Sequence, residues 1–272
     1  MVYNMSCFIC PVCKEKLNTV DRSYVCPRNH TFDISKDGYV NLLMSQQSSN
    51  KRHGDDKLMV RARREFLEIG FYEPLQKTLC QVVSSKINPG AVIADVGCGE
   101  GYYTGAVVAS GEYSISGIDI SKDALKTTAK SLKNCEFAVA SAFALPYADK
   151  NIDCVLNVFA PSAYGEFFRV LKDDGYLIKV VPLSDHLWEL KCALYDVPYK
   201  NKPEKRDEEL FRLVSINELK YKITLNCNND IMNLFKMTPY YYKTGRAETQ
   251  KLINLDELDV TVHVGVEVYE KR

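Results

Sequence analysis

Ala94-Asp95-Val96-Gly97-Cys98-Gly99-Glu100-Gly101 is the stretch that decides the fold. It closes a short apolar run (residues 91–96) with three glycines at every second position. Glycine tolerates positive φ and lets the backbone come close to a ligand. About twenty residues on, a second apolar run (114–120) carries Asp119 near its end, where a carboxylate can accept from both hydroxyls of a ribose. A glycine-rich turn alone also fits dinucleotide sites and ordinary turns. Two acids narrow the choice. Asp95 lies in the strand end before the first glycine, suited to a cationic ligand group and unsuited to a pyrophosphate. Glu100 stands where a phosphate would meet repulsion. The pair points to the amino-acid part of S-adenosylmethionine rather than to a dinucleotide.

Outward from this turn, strand and helix patterns alternate. Helices are expected at 103–109, 122–132 and 165–171, and strands at 135–140, 152–159 and 176–181, with Asp173-Asp174-Gly175 as a turn. Ser141 and Ala142 follow the third strand, where an adenine would sit. Asn157-Val158-Phe159-Ala160-Pro161 closes the fourth, facing the transferable methyl. The late run Val260, Val262, Val264, Val266, Val268 alternates with Thr261, His263, Gly265 and Glu267, as a strand does. This order predicts an α/β fold with a mostly parallel, seven-stranded Rossmann-like sheet, the class I methyltransferase architecture. Upstream, 56–69 and 73–86 read as helices divided near Gly70, and 45–56 reads as a polar linker.

The N-terminal residues follow another logic. Cys10-x2-Cys13 is matched by Cys26-x3-His30, two close pairs separated by a short loop. Such a set can wrap one zinc ion tetrahedrally, and four protein ligands leave no open position, so the metal is structural. Cys7 also forms a C-x2-C pair with Cys10, but Pro11 follows Cys10 as Pro27 follows Cys26, which favours Cys10, Cys13, Cys26 and His30 and leaves Cys7 spare. The expected organisation is a zinc-binding module at 1–45, a linker and helical segment at 46–90, and a methyltransferase domain at 91–272.

Composition sets outer bounds. The 272 residues are 46% hydrophobic and 26% charged, with a formal net charge of zero, so any nucleic-acid face must be local. Six of the ten cysteines are scattered, as free thiols in a reducing compartment would be. No apolar run of membrane-spanning length and no signal-peptide pattern occurs, so no membrane partner is expected and the location is read as cytoplasmic. The basic residues Lys51, Arg52, Lys57, Arg61, Arg63 and Arg64 could neutralise RNA phosphates, or simply form a solvated helix face.

Taken together, the chain resembles the bacterial 23S rRNA (guanine-N(1))-methyltransferases of the RlmA type. The resemblance rests on Cys10-Pro11-x-Cys13 with Cys26-Pro27-x-x-His30, on Thr31-Phe32-Asp33 with Gly38 to Leu43, and on Ala62-Arg63-Arg64-x-Phe66-Leu67. It continues through Gly70-x-Tyr72-x-Pro74-Leu75, Asp95 to Thr104, Ala160-Pro161, His186-Leu187-x-Glu189-Leu190 and Met237-Thr238-Pro239. It implies methyl transfer to ring nitrogen 1 of a guanine in a 23S rRNA hairpin, a homodimer, and an RNA cleft framed by the zinc module. The family has two branches that choose different guanines, one of them linked to macrolide resistance. The resemblance does not select between them, because the glycine-rich turn is similar to one branch and 157–161 to the other. By matching position it adds Tyr72, Tyr103, Thr104 and His186 to Asp95, Gly97, Gly99, Gly101, Asp119, Ser141 and Ala142 as cofactor-site residues. Arg61, Arg63 and Arg64 are the candidate RNA contacts. For chemistry, Asn157 and His186 are the candidates, with His186 able to remove the guanine proton at an ordinary histidine pKa near 6.5. Two rival readings are a small-molecule methyltransferase and a noncatalytic RNA-binding scaffold.

Overall fold

A computed structural model describes residues 5–44 and 54–272. The chain starts with four antiparallel strands, β1 (Met5–Ile9), β2 (Lys16–Val20), β3 (Ser23–Val25) and β4 (Thr31–Asp33), in sequential order. A short β5 (Tyr39–Asn41) follows but does not join them. It pairs in parallel with a strand almost a hundred residues downstream, Tyr39 opposite Phe137 and Asn41 opposite Val139. Most of the expected linker, with Lys51 and Arg52, lies outside the described residues.

Two helices come next. In α1 (Lys57–Glu68), Asp56 caps the N-terminus by accepting from the backbone N–H groups of Leu58 and Met59. Helix α2 (Glu73–Lys86) begins with Pro74 in its first turn, where a missing N–H costs nothing. The alternating region then runs β6 (Val92–Val96), α3 (Tyr102–Ser110), β7 (Ser114–Asp119), α4 (Lys122–Ser131), β8 (Glu136–Val139), β9 (Ile152–Val158), α5 (Tyr164–Val170) and β10 (Leu171–Pro182). The expected turn at 173–175 is an irregularity within β10, where the register against β9 shifts between Leu171 and Tyr176. The chain finishes with α6 (Trp188–Leu194), β11 (Phe211–Leu225), α7 (Asn228–Lys236), a short 3-10 turn, α8 (Arg246–Ile253) and β12 (Leu258–Lys271).

The large sheet has the order β11-β12-β10-β9-β6-β7-β8-β5. Seven of these strands form the expected methyltransferase sheet, and β5 adds an eighth. Strand β12 lies between β10 and β11, antiparallel to both. Its period-two sequence suggests one wet face, yet Thr261, His263 and Glu267 are as buried as the valines between them. The polar residues find partners there, as buried polar groups must: Thr261 donates to Glu189, His263 bonds Glu218, and Glu267 accepts from Arg206 and Tyr269.

The first four strands share a core with the large sheet. Phe8, Leu17, Tyr24 and Val40 are buried in one cluster with Ala94, Val96, Ile118 and Tyr147. Glu136, at the start of β8, accepts from the Cys7 N–H at 2.9 Å, the Cys7 thiol at 2.8 Å and the Tyr24 hydroxyl at 2.7 Å. Cys7 thus ties the small sheet to the large one, which accounts for it being spare as a metal ligand.

Candidate functional site

Parallel strands leave a crevice at their carboxyl ends, where the strand order reverses between β6 and β9. A cavity of about 1010 Å³ occupies that position. Its floor is the glycine-rich turn. Gly97, Gly99 and Gly101 have φ of +85°, +55° and +84°. A Cβ on Gly97 would lie 2.5 Å from the Ala160 Cβ, and one on Gly101 would lie 2.7 Å from Thr128 Cγ2. Gly97 therefore admits the β9-end turn, whereas Gly101, which does not line the cavity, admits α4.

Acidic groups dominate this end. Asp95 is buried. Its Oδ2 accepts from the Thr104 hydroxyl at 2.6 Å, while its Oδ1 has no partner. Burial pushes the carboxyl up to about 7, the Thr104 hydrogen bond opposes that, and the Asp119 charge adds to it. Asp119 accepts from the backbone N–H of Gly99 at 3.0 Å and of Ser121 at 2.7 Å, one bond to each oxygen. These bonds fix the carboxylate and leave each oxygen a second acceptor site. Glu100 Oε2 and the Tyr103 hydroxyl are also buried without partners.

Of the other sequence-nominated residues, Tyr72, Ser141, Ala142 and His186 line the cavity, and Thr104 reaches it only through Asp95. Asn157 does not line it. Its side-chain NH2 donates to the backbone oxygens of Val96, at 3.1 Å, and Pro161, at 3.4 Å. It ties the ends of β6 and β9 together behind the cavity floor, and its Oδ1 is buried without a hydrogen-bond partner among the described residues.

His186 is in the cavity wall, in a setting that disfavours the role of base expected from the sequence. Its Nδ1 accepts from the His263 N–H at 3.3 Å, which puts the ring hydrogen on Nε2. Burial, reinforced by the charges of Lys191 and His263, lowers its pKa to about 3. The ring is a fixed neutral wall, stacked on Phe159 with centroids 5.8 Å apart and edge-on to Tyr72 at 6.4 Å.

Arg63 is a second correction. Its side chain does not share the exposed face of α1 with Arg61 and Arg64. Its guanidinium turns into the cavity wall, pairs with Asp55, lies 4.0 Å from Glu100 and donates to the Met237 carbonyl at 3.3 Å. The sequence carried the signal: Arg63 is four residues after Met59 and four before Leu67, both buried, on the apolar stripe of α1. Arg61 and Arg64 remain exposed, each paired within the helix, with Glu65 and Glu68.

Phe159, in the 157–161 stretch expected to face the methyl, borders the cavity, and so do Phe143, Glu204, Tyr240, Tyr242 and Lys243, which the sequence reading missed. Phe159 adopts φ +51°, uncommon for a bulky residue, and turns its ring to the opening.

The second site is metallic in design. The donor atoms of Cys10, Cys13, Cys26 and His30 all lie within 4.8 Å of one another. The Cys13 and Cys26 sulfurs are 3.5 Å apart, and His30 Nδ1 is 3.5 Å and 3.3 Å from the Cys10 and Cys26 sulfurs. A tetrahedron with metal–sulfur bonds of about 2.3 Å has edges of roughly this length, so the thiolate–imidazole set fits structural zinc.

Comparison with known proteins agrees with both sites. The zinc-ribbon family described as RlmA, N-terminal, matches residues 8–51, and a methyltransferase-domain family matches 87–235. The YxjB protein of Bacillus subtilis (strain 168), provisionally named a 23S rRNA (guanine-N(1)-)-methyltransferase, is 35% identical across 97% of this chain and 96% of its own. The 23S rRNA (guanine(748)-N(1))-methyltransferase of Streptomyces fradiae is 33% identical across 82% and 81%. Among solved structures, the YcgJ protein of Bacillus subtilis superimposes with a TM-score of 0.50 at 14% identity, covering 72% of this chain and 98% of that one, which speaks to the fold alone.

Proposed function

Because this chain belongs to the 23S rRNA (guanine-N(1))-methyltransferases of the RlmA type, we propose that it transfers a methyl group from S-adenosylmethionine to N1 of a guanine in a 23S rRNA hairpin. The observation that carries the reading is the union of the two sites. A zinc ribbon shares its core with an acidic, glycine-floored cavity built at the strand ends of a methyltransferase sheet. A small-molecule enzyme has no use for the ribbon, and a noncatalytic scaffold has no use for five carboxylates around a cavity.

When bound, S-adenosylmethionine supplies an electrophilic methyl on a sulfonium. The residues of this chain fit it in kind. Asp95 Oδ1 is buried without a hydrogen-bond partner among the described residues, as a cationic amino-acid group requires, while Glu100 Oε2, which also lacks a hydrogen bond, lies 4.0 Å from the Arg63 guanidinium. Asp119, oriented by two backbone N–H groups, suits the ribose hydroxyls, and Ser141 and Ala142 suit the adenine side. Tyr72, Tyr103 and His186 close the wall, and Thr104 positions Asp95. Gly97 and Gly99 bring the backbone close, with Gly101 shaping the turn. Catalysis is then chiefly alignment of the guanine with the methyl–sulfur axis. Arg61 and Arg64, with Lys57 and rather than Arg63, are the exposed α1 cations available to RNA phosphates. The same reading takes the protein as a homodimer, which sedimentation equilibrium tests.

The decisive experiment is methylation of a 23S rRNA hairpin fragment with labelled methyl donor, followed by mass mapping of the product nucleoside. 1-Methylguanosine is the expected product. Methylation of another base, or of small acceptors alone, would sink the reading.

A further inference from the structure

N1 of guanine carries a proton at neutral pH and is a weak nucleophile until that proton leaves, so the reaction needs an acceptor for it. With His186 buried and its Nδ1 engaged, this role is open. It rests on the function proposed above. Five carboxylates line the cavity among the described residues. Asp55, Asp95, Glu100 and Asp119 cluster about the glycine-rich turn and Arg63. Glu204 stands apart from them.

Glu204 is held on the β9–β10 side of the cavity. Its Oε1 accepts from the Ser162 hydroxyl at 2.6 Å and from Lys179 Nζ at 2.9 Å. Ser162 directly follows the Phe159-Ala160-Pro161 turn that closes β9. Lys179 is opposite Asn157 in the β9–β10 register, is 1% exposed, and also donates to the Tyr164 hydroxyl at 2.8 Å. Such a buried ammonium, held on a strand, is a fixed support. The loop carrying Glu204 is anchored on both sides. Asn201 accepts from the buried Lys191 at 2.6 Å and donates to the backbone oxygens of Leu183 and His186, and Arg206 pairs with Glu267 at 2.6 Å. Both bonds to Glu204 reach Oε1, so Oε2 is left without a protein partner among the described residues.

We infer that Glu204 is the catalytic base, its Oε2 accepting the N1–H of the target guanine. The carboxylate takes the proton, and the N–H bonding pair becomes the nucleophile that forms the new nitrogen–carbon bond. The methyl–sulfur pair departs with sulfur as a neutral thioether, and Glu204 returns its proton to solvent through its half-exposed side. The same carboxylate selects the base. Guanine offers hydrogen-bond donors at N1 and N2, whereas adenine presents a lone pair at N1 that an acceptor repels.

The test compares Glu204→Gln with wild type in single-turnover methylation of the hairpin fragment, alongside calorimetric binding of S-adenosylhomocysteine. Loss of a general base predicts a fall of about 100-fold or more at neutral pH, with product-analogue affinity unchanged. The rate should recover at mildly alkaline pH, where the guanine N1 proton leaves unaided, an effect a merely structural role would not produce. The charged and titratable neighbours facing Glu204, namely Lys179 from β10, Tyr164 from α5 and Lys243 across the cavity, are common to both proteins, so a difference between their pH profiles belongs to the carboxylate. A neutral-pH rate within about threefold of wild type, or a loss with no alkaline recovery, overturns the assignment. Wild-type transfer to a base other than guanine overturns the functional reading itself, and is read from the product mass independently of the variant.

Discussion

Thr104 donates its hydroxyl to Oδ2 of Asp95 at 2.6 Å, and leaves Oδ1 of the same buried carboxylate bare. One oxygen is held within the protein and the other has no hydrogen-bond partner among the described residues. With a pKa of about 7, this carboxyl changes charge near neutrality. Ligand affinity through a cationic group requires the ionised form. Binding of S-adenosylhomocysteine should therefore weaken about tenfold per pH unit below pH 7 and level off above it. Stability of the unliganded protein runs the other way. The folded pKa lies above the ordinary carboxylate value, so the folded state holds more protons, and the contribution of Asp95 to stability falls as pH rises from about 4 to 7. In Asp95→Asn both dependences should disappear; calorimetry and urea melts across this range check them.

Asp119→Ala should weaken the same ligand at least about tenfold, the loss of one or two charge-assisted bonds of about 1.5–3 kcal/mol each. Calorimetry at pH 8, above the titration of Asp95, isolates the effect. Unchanged affinity would move the ribose elsewhere.

Gly97→Ala should destabilise the protein by about 1–3 kcal/mol, because the new methyl combines φ +85° with a 2.5 Å approach to Ala160. Gly165→Ala, on a helix with nothing within 4 Å, should not. Urea denaturation of the two variants makes the comparison.

The arginines of α1 should separate cleanly. Arg61→Glu with Arg64→Glu should weaken binding of the RNA hairpin and flatten its salt dependence, the slope falling by about 0.9 for each phosphate no longer neutralised, without altering ligand affinity. Arg63→Ala should do the reverse. It leaves Asp55 and Glu100 uncompensated, costs about 1–3 kcal/mol of stability, and disturbs the cavity. Equal salt slopes for all three proteins would show that RNA lies on another face.

Metal analysis should find one zinc per chain, lost in Cys10→Ser with Cys26→Ser. Glu136→Gln should keep the zinc yet lower the unfolding free energy, since an amide cannot accept from Cys7 and Tyr24 as the carboxylate does. Zinc loss in that variant would mean that Glu136 supports the metal rather than the joint.

How much of this was legible depended on distance along the chain. The stretch from β6 to β10 announces itself because strand and helix runs alternate and glycine and acidic residues mark the ends of β6 and β7. The zinc ligands announce themselves by spacing. Residues 183–257 do not: α6, α7 and α8 have seven, nine and eight residues, too few for a clear period, and the alternation of β11 is masked by its charges. Strand β5 has three residues and exists only because β8 lies beside it. His186 and Glu204 show the same limit. What each can do is set by Nδ1 facing a backbone N–H in one case and by Lys179 and Ser162 in the other, partners that no local pattern encodes.

The placement of β5 has a consequence for solubility. A parallel sheet ending at β8 would present a row of bare backbone donors and acceptors, a template for pairing with another chain. Three residues from the N-terminal module cover that row. The opposite border, β11, is fifteen residues long and is guarded differently, by Arg212, Glu218, Lys220 and Lys222 along its length. One border is thus defended by charge and the other by a strand whose position depends on a folded metal module. Stripping the metal should therefore uncover β8, with intermolecular strand pairing and precipitation as the result.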